Sequence, residues 1–224
     1  IYREGIMDNR FVNSSQLDEK IGAAYSQLNF PLSEKVKVQA GLRYEFTQTQ
    51  VKSLLDASIF VDREYGNFFP SVFLSYKIND FNNLNLSSSR RINRPAFTDM
   101  APFVFFVDLE QAFEGNVSLK PSYTNNFQLD YRYKSVNLTV QYTDEKDVIS
   151  RFQPSIDNSS GFVTIRPANV DEQQTLSTII SYSFYPVSFW NLRLFSTFAY
   201  TALKNNAAES SIDITNSSLR FNMN

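Results

Sequence analysis

Residues 36–49, VKVQAGLRYEFTQT, alternate almost without exception. Val36, Val38, Ala40, Leu42, Tyr44 and Phe46 share one face, and Lys37, Gln39, Gly41, Arg43, Glu45 and Thr47 share the other. Successive side chains of a strand point to opposite sides, so a period of two predicts a strand with one apolar and one polar face. The pattern recurs in Val72, Leu74, Tyr76 and Ile78 against Ser75 and Lys77, and in Leu84 and Leu86 against Asn85, Ser87 and Ser89. Phe127, Leu129, Tyr131 and Tyr133 oppose Asn126, Gln128, Asp130 and Arg132, while Val136, Leu138, Val140 and Tyr142 oppose Asn137, Thr139 and Gln141. Ile180, Tyr182 and Phe184 oppose Ser181 and Ser183; Leu192, Leu194 and Phe198 oppose Asn191, Arg193 and Thr197, with Phe195 breaking the polar side. Adding 21–31 and 215–223 predicts about nine strands.

The gaps between these strands alternate in length. Short links fall at Pro31–Lys35, Asn79–Asn83, Lys134–Ser135 and Pro186–Phe189, and long ones at 52–68, 95–122, 144–173 and 202–214. Compact soluble domains rarely hold several structureless loops of such length. Antiparallel barrels of the bacterial outer membrane combine short periplasmic turns with long extracellular loops. The expected fold is therefore all-β, an antiparallel up-and-down meander forming part of a transmembrane β-barrel, with 1–224 as a single barrel segment. Its apolar face should meet lipid and its Asn/Gln/Ser/Thr/Arg face a hydrated interior. No segment carries a convincing helical period.

Composition narrows the chemistry more than the fold. A hydrophobic share of 42% suits a soluble domain and a membrane barrel equally, because half of each barrel strand faces a polar lumen. Phe30, Tyr76, Tyr133, Phe184 and Trp190 cluster beside the short turns, and Tyr44, Phe46, Tyr142 and Tyr200 lie toward the long loops. Two such belts suit a lipid-facing exterior; they suit a soluble sandwich with aromatic strand ends just as well. No apolar run approaches the length of a transmembrane helix, the longest of note being Phe103 to Val107. The chain has no Cys and no His, which excludes disulfides, the usual zinc sites, thiol nucleophiles and Ser–His triads. A net charge of −2 gives no bulk attraction to nucleic acid. No cofactor or metal is expected. Without an initiator Met, and with a strand only begun at 219–223, the chain is expected to be an internal piece of something larger.

Four stretches then carry a resemblance: GLRYEFTQTQ at 41–50, FFPSVFLSYKIN at 68–79, LNLSSSRRINRPAF at 84–97 and GNVSLKPSYTNNFQLDY at 115–131. In order and spacing these blocks resemble the barrel of TonB-dependent outer-membrane receptors, of the Bacteroidetes-type outer-membrane β-barrel family, from about residue 19 onward. The resemblance implies an active transporter in the Gram-negative outer membrane, a plugged barrel energised from the inner membrane through TonB. It implies as partners outer-membrane lipid, the TonB system, a plug domain and a surface lipoprotein. Its cargo would be a ligand such as a siderophore or an oligosaccharide. Plug, TonB box and the remaining strands are not in these residues, so the resemblance makes the chain a segment of barrel wall. The alternatives are a structural or adhesive outer-membrane barrel and a soluble carbohydrate-binding sandwich, the last disfavoured by the long loops.

Candidate site residues follow from charge and aromaticity. Arg90, Arg91 and Arg94 form the densest basic cluster, able to grip an anionic ligand or plug carboxylates bidentately; rim ion pairs with neighbouring strands explain them more simply. Pro95 ends their strand. In MAPFVFF, 100–106, the rings of Phe103, Phe105 and Phe106 could stack on a ligand, or the loop could fold inward, and the residues favour neither. Arg43, Glu45, Asp130 and Arg132 sit on polar strand faces with charges of both signs, which makes lumen-lining ion pairs, rather than acid–base catalysis, the expected role. Nothing in the sequence assembles a nucleophile, a base and an orienting group, so no enzyme is expected.

Overall fold

The computed structural model describes the backbone of residues 2–3, 6–7, 14–157, 159, 161–187, 190–205 and 210–223. Two short strands, β1 (Tyr2–Arg3) and β2 (Ile6–Met7), pair with each other alone. The wall begins at β3 (Ser15–Pro31), β4 (Val36–Ser53), β5 (Ile59–Asn79) and β6 (Asn82–Asn93). It resumes after an excursion holding α1 (Phe97–Met100), β7 (Val104–Phe106) and β8 (Gln111–Glu114). There follow β9 (Ser122–Tyr133), β10 (Val136–Ile156), β11 (Val163–Val187), β12 (Trp190–Asn205) and β13 (Ser210–Met223). The nine long strands pair antiparallel in chain order, β3 at one edge and β13 at the other, as the alternation predicted. Only β8 departs, running parallel to the start of β11 through Gln111↔Val163.

The two faces are inverted relative to a soluble sheet. On β4, Leu42 is 49% and Phe46 43% exposed, while between and beside them Glu45 is 7% and Thr47 0% exposed. Water would favour the opposite arrangement, since exposed apolar faces of this extent are rare in soluble monomers. A bilayer reverses the preference: apolar side chains meet lipid, and the ladder satisfies the backbone internally. Register carries this parity across the sheet, so Leu42, Pro70 and Val72 face outward, as do Leu86, Leu129, Val140 and Ile180.

The outward apolar stretch of β4 runs from Val36 to Phe46, about 33 Å along the strand and about 25 Å along the membrane normal at a barrel tilt near 40°. The expected belts sit at its ends, with Phe30, Tyr76, Tyr133, Phe184 and Trp190 at the short-turn end and Tyr44, Phe46, Tyr142 and Tyr200 at the other. A groove of about 490 Å³ between Val72, Leu86, Phe127, Leu129, Val140 and Tyr142 lies on this lipid side.

Past the band the strands continue, and here the long links need redrawing. The ladder carries β4 to Ser53 and resumes at Ile59, leaving only 54–58 as loop; β10 and β11 consume most of 144–173 and leave 157–162. Of 202–214, β12 and β13 take all but 206–209, which lie outside the described residues. The cause is physical. Above the membrane both faces of a strand meet polar surroundings, so the pairing persists while its apolar alternation disappears. Outward Gln48, Gln50 and Lys52 are polar like inward Thr47 and Thr49. The short links hold, with a turn at Asp80–Phe81 and a two-residue turn at Lys134–Ser135, where Lys134 takes φ 49°. Residues 188–189 of the fourth lie outside the described residues, between paired Val187 and Trp190.

Candidate functional site

The stretch between β6 and β9 stays an excursion, and it folds inward. Met100 and Leu119 pack with Val51 of β4 and Val61 of β5 into a small apolar core, flanked by Leu17, Val117 and Ile149. These wall residues lie beyond the lipid band on the inward face, so the only apolar core among the described residues joins the excursion to the upper wall. Of the two placements open for MAPFVFF, Met100 and Ala101 take the inward one, at 4% and 0% exposure. Phe105 and Leu109 stay outside, at 69% and 97%.

Polar contacts fasten both feet of this excursion. At the entry, Arg94 Nη2 donates to Glu45 Oε2 at 2.6 Å and to Thr47 Oγ1 at 2.8 Å. Arg43 Nε holds the other Glu45 oxygen at 2.7 Å. Buried Arg94 Nε has Glu19 Oε1 at 3.9 Å, beyond hydrogen-bond reach. Burial is the largest single influence and opposes the Arg94 charge, but hydrogen bonding and charge attraction from Glu45 and Tyr65 together outweigh it and raise the guanidinium above its ordinary value. At the exit, Arg63 of β5 donates to the carbonyls of Val117, at 2.7 Å, and Leu119. Asn169 of β11 accepts from Lys120 N at 2.8 Å and donates to Lys120 O at 3.0 Å, a closed pair that mimics a strand partner. Asn116 Nδ2 donates to Pro167 O at 2.9 Å. Gly115 passes so close to the Ala101 carbonyl that no Cβ fits there.

Above these feet, β7 and β8 form a hairpin whose outer side lines a cleft of about 270 Å³. Phe103, Phe105 and Phe113 supply one wall, Phe152 and Ile165 another, and Asp99 with Arg151 the polar end. Phe103 meets Phe97 edge-on at 6.0 Å, and Phe113 meets Phe152 at 6.4 Å. Arg151 Nε pairs with Asp99 Oδ2 at 3.1 Å, the carboxylate largely covered and the guanidinium mostly exposed. Such a site offers flat apolar contact beside one accepting and one donating group.

The expected site residues divide. Phe103 and Phe105 line the cleft, whereas Phe106 packs against Phe162 at 6.2 Å. Arg94 is at the foot of the excursion, Arg90 lies over the Tyr123 ring at 5.2 Å, and Arg91 is exposed; none of the three lines the cleft. Arg43 and Glu45 pair with each other, but Asp130 accepts from Gln128 at 2.8 Å and Thr139 at 2.6 Å rather than from exposed Arg132. Phe113, Phe152, Asp99 and Arg151 went unnoticed in the sequence. Their only signal was RFQP at 151–154, an aromatic and a cation together within what looked like loop. Among the described residues no group of three or more Asp, Glu, His or Cys side chains is placed to hold a metal.

The sequence profile of the outer membrane protein β-barrel family matches residues 3–224. The chain belongs to that family. It is an outer-membrane β-barrel protein, and its family is not one of enzymes. No curated protein sequence matches it. Among solved structures, it is similar to the copper transporter OprC (TM-score 0.62, 14% identity, 88% of this chain and 31% of that one). It is also similar to the FrpB iron transporter of Neisseria meningitidis (TM-score 0.60, 12% identity, 87% of this chain and 27% of that one). A third is the siderophore receptor PirA of Pseudomonas aeruginosa (TM-score 0.53, 14% identity, 94% of this chain and 50% of that one). At such identities these likenesses establish the fold. The chain spans between about a quarter and a half of the length of these proteins.

Proposed function

We propose that the chain is part of the barrel wall of a TonB-dependent outer-membrane receptor that takes up a small ligand from outside the cell. The observation that carries the reading is the excursion 94–121: a wall-anchored segment of an outer-membrane barrel that holds an aromatic, charge-ended cleft at the end opposite the short turns. The parent protein would supply the plug, the remaining strands and the contact with TonB, as the likeness to transporters and receptors two to four times longer suggests. Ligand contact falls to Phe103, Phe105, Phe113 and Phe152 by stacking and to Arg151 and Asp99 by hydrogen bonding. Exposed Arg90 and Arg91 stand on the approach, while Phe106 braces the hairpin and Arg94 anchors it. Lumen-facing Arg43, Glu45, Asp130 and Arg132 line the path below. A siderophore or an oligosaccharide has the flat, polar-edged faces such a cleft accommodates, and a surface lipoprotein would meet the same exposed end.

The test is a replacement in the full-length receptor. Val104 pairs with Glu114, so Phe105–Phe113 can be exchanged for a two-residue Asn-Gly turn without touching Met100 or Leu119. Uptake should fall while surface expression and heat-modifiable barrel folding persist. Unchanged uptake would leave the hairpin a structural lid.

A further inference from the structure

The groove on the lipid side has a built shape that a smooth apolar wall lacks. It follows β6, whose outward residues ascend from the short turn as Leu84, Leu86, Ser88 and Arg90. Ser88 is registered between Val72 of β5 and Phe127 of β9, both half-exposed. Its short side chain makes the floor and its larger neighbours the two banks. Tyr142 of β10 widens one bank, stacked on Phe127 with ring centroids 6.4 Å apart. One row lower, Leu86 lies between Leu74 and Leu129. The volume enclosed, about 490 Å³, falls in the range of small-ligand sites. One row above the floor stands exposed Arg90, its guanidinium over the Tyr123 ring at 5.2 Å. Asn67 Nδ2 donates to the Tyr123 hydroxyl at 3.0 Å and steadies that ring. A ring covers one face of a guanidinium and leaves its N–H edge free. Lys52, Lys146 and Lys204, also outward, each have a carboxylate within 4.0 Å, whereas Arg90 has none among the described residues. Asp144, two strands away in the same row, has Lys146 at 3.7 Å. The β5–β6 ladder stops at Ser71↔Ser89, so no β5 residue is registered beside Arg90.

We infer that this groove holds one phosphate-bearing lipid of the outer leaflet, its phosphate on Arg90, an acyl carbonyl at Ser88 and the chain over Leu86. The order of groups along β6 decides the class of ligand. Arg90 and Ser88 are two residues apart on one strand, about 7 Å, with only apolar side chains below them. A lipid presents charge, then carbonyl, then hydrocarbon in that same order. Apolar burial does not drive the binding, because the surrounding chains are as apolar as the groove. Selection comes instead from dispersion contact on three sides of one chain and from the paired donors that a guanidinium offers to phosphate. The groove reaches the aromatic belt opposite the short turns at Tyr142, which fixes the leaflet. The inference needs only an outward face in a bilayer and stands apart from whatever cargo the parent takes up.

The experiment is native mass spectrometry of the full-length protein in detergent, incubated with phosphatidylglycerol or with phosphatidylcholine of identical chains. The second lipid offsets its phosphate with a quaternary ammonium, so the comparison isolates the anionic headgroup. Phosphatidylglycerol should be retained severalfold more than phosphatidylcholine. Arg90→Gln should abolish that preference, and Ser88→Phe, which fills the floor, should remove the retained lipid of either kind. Ser196 of β12 is likewise outward but has Phe198 rather than a cation two residues on, so Ser196→Phe should change neither. Equal retention of the two lipids, or a preference that survives Arg90→Gln, overturns the site. So does lipid retention that is untouched in a folded Ser88→Phe variant. If that variant fails to fold, judged by heat-modifiable migration, the Arg90→Gln comparison still decides. A dimer that Ser88→Phe dissociates, with lipid retention unchanged, overturns the inference and gives the groove to a second copy of the chain.

Discussion

Glu45 shows how much one buried side chain organises here. Its carboxylate is gripped by exposed Arg43 on its own strand and by largely buried Arg94, which begins the excursion. Removing Arg94 leaves a buried carboxylate with one screened partner, and breaking such a pair is costly. Arg94→Ala should therefore cost about 2–3 kcal/mol in a urea titration of the barrel and speed amide exchange over 95–121. Arg43→Ala, removing a half-exposed partner, should cost less than about 1 kcal/mol. Equal losses would mean the excursion is held by its apolar core rather than by this pair. Alternation along 36–49 placed Glu45 on the lumen side, but its choice of Arg94 over its many cationic neighbours was not legible. That contact spans 49 residues and depends on where the chain turns after Pro95. A second residue-scale effect concerns Asp56 in the 54–58 loop. Hydrogen bonds from Ser53 and Ser58 hold its carboxyl below the usual 3.8. A depressed carboxyl stabilises the folded loop above its unfolded value and loses that contribution as pH falls through the folded one. Protection factors of the amides within 54–58, which correct for the pH dependence of intrinsic exchange, should fall below about pH 4 and stay flat between pH 5 and 8, and Asp56→Asn should abolish the step.

Strands were legible wherever their two faces meet different solvents. Between Val36 and Phe46, or Val136 and Tyr142, lipid outside and a wet lumen inside write a period of two into the sequence. Beyond Phe46 or Tyr142 both faces are wet, and 52–68 or 144–173 read as loop although most of each is ladder. Lys146 on β10 and Glu172 on β11 illustrate the change: they face outward, pair at 2.5 Å and stand where lipid can no longer be. The same logic sets the direction of a substitution. Leu42→Arg or Val140→Arg puts a cation against the hydrocarbon and should weaken folding into bilayers by about 2–4 kcal/mol near the midplane. Gln39→Arg, three residues from Leu42 on the same strand but facing the lumen, should be nearly silent, as should Gln50→Arg on the outward face above the band. Folding titrations into lipid vesicles distinguish these cases. A loss at Gln50 as large as that at Leu42 would place the bilayer boundary higher than the aromatic belts do.

At the scale of the whole molecule, the decisive feature is a sheet with two edges and an apolar exterior. Edge strands β3 and β13 are joined to β4 and β12 on one side only among the described residues, so each presents a row of backbone donors and acceptors to any strand that approaches. The outward face adds Leu28, Leu42, Phe46, Phe68, Phe127, Ile180 and Phe198, all more than a third exposed. The core that could oppose this is small, four buried side chains at the extracellular end, and it fixes the excursion rather than the sheet. Expressed alone, the 224-residue chain should therefore aggregate in plain buffer and need detergent, lipid or the other strands of its barrel. Sedimentation and circular dichroism with and without detergent read this directly. In detergent the strand signal should persist, while the edges still associate, giving dimers or larger species. A monodisperse monomer in buffer that melts cooperatively would require the apolar face to be satisfied by water, and the lipid-facing orientation of all nine strands would fall with it.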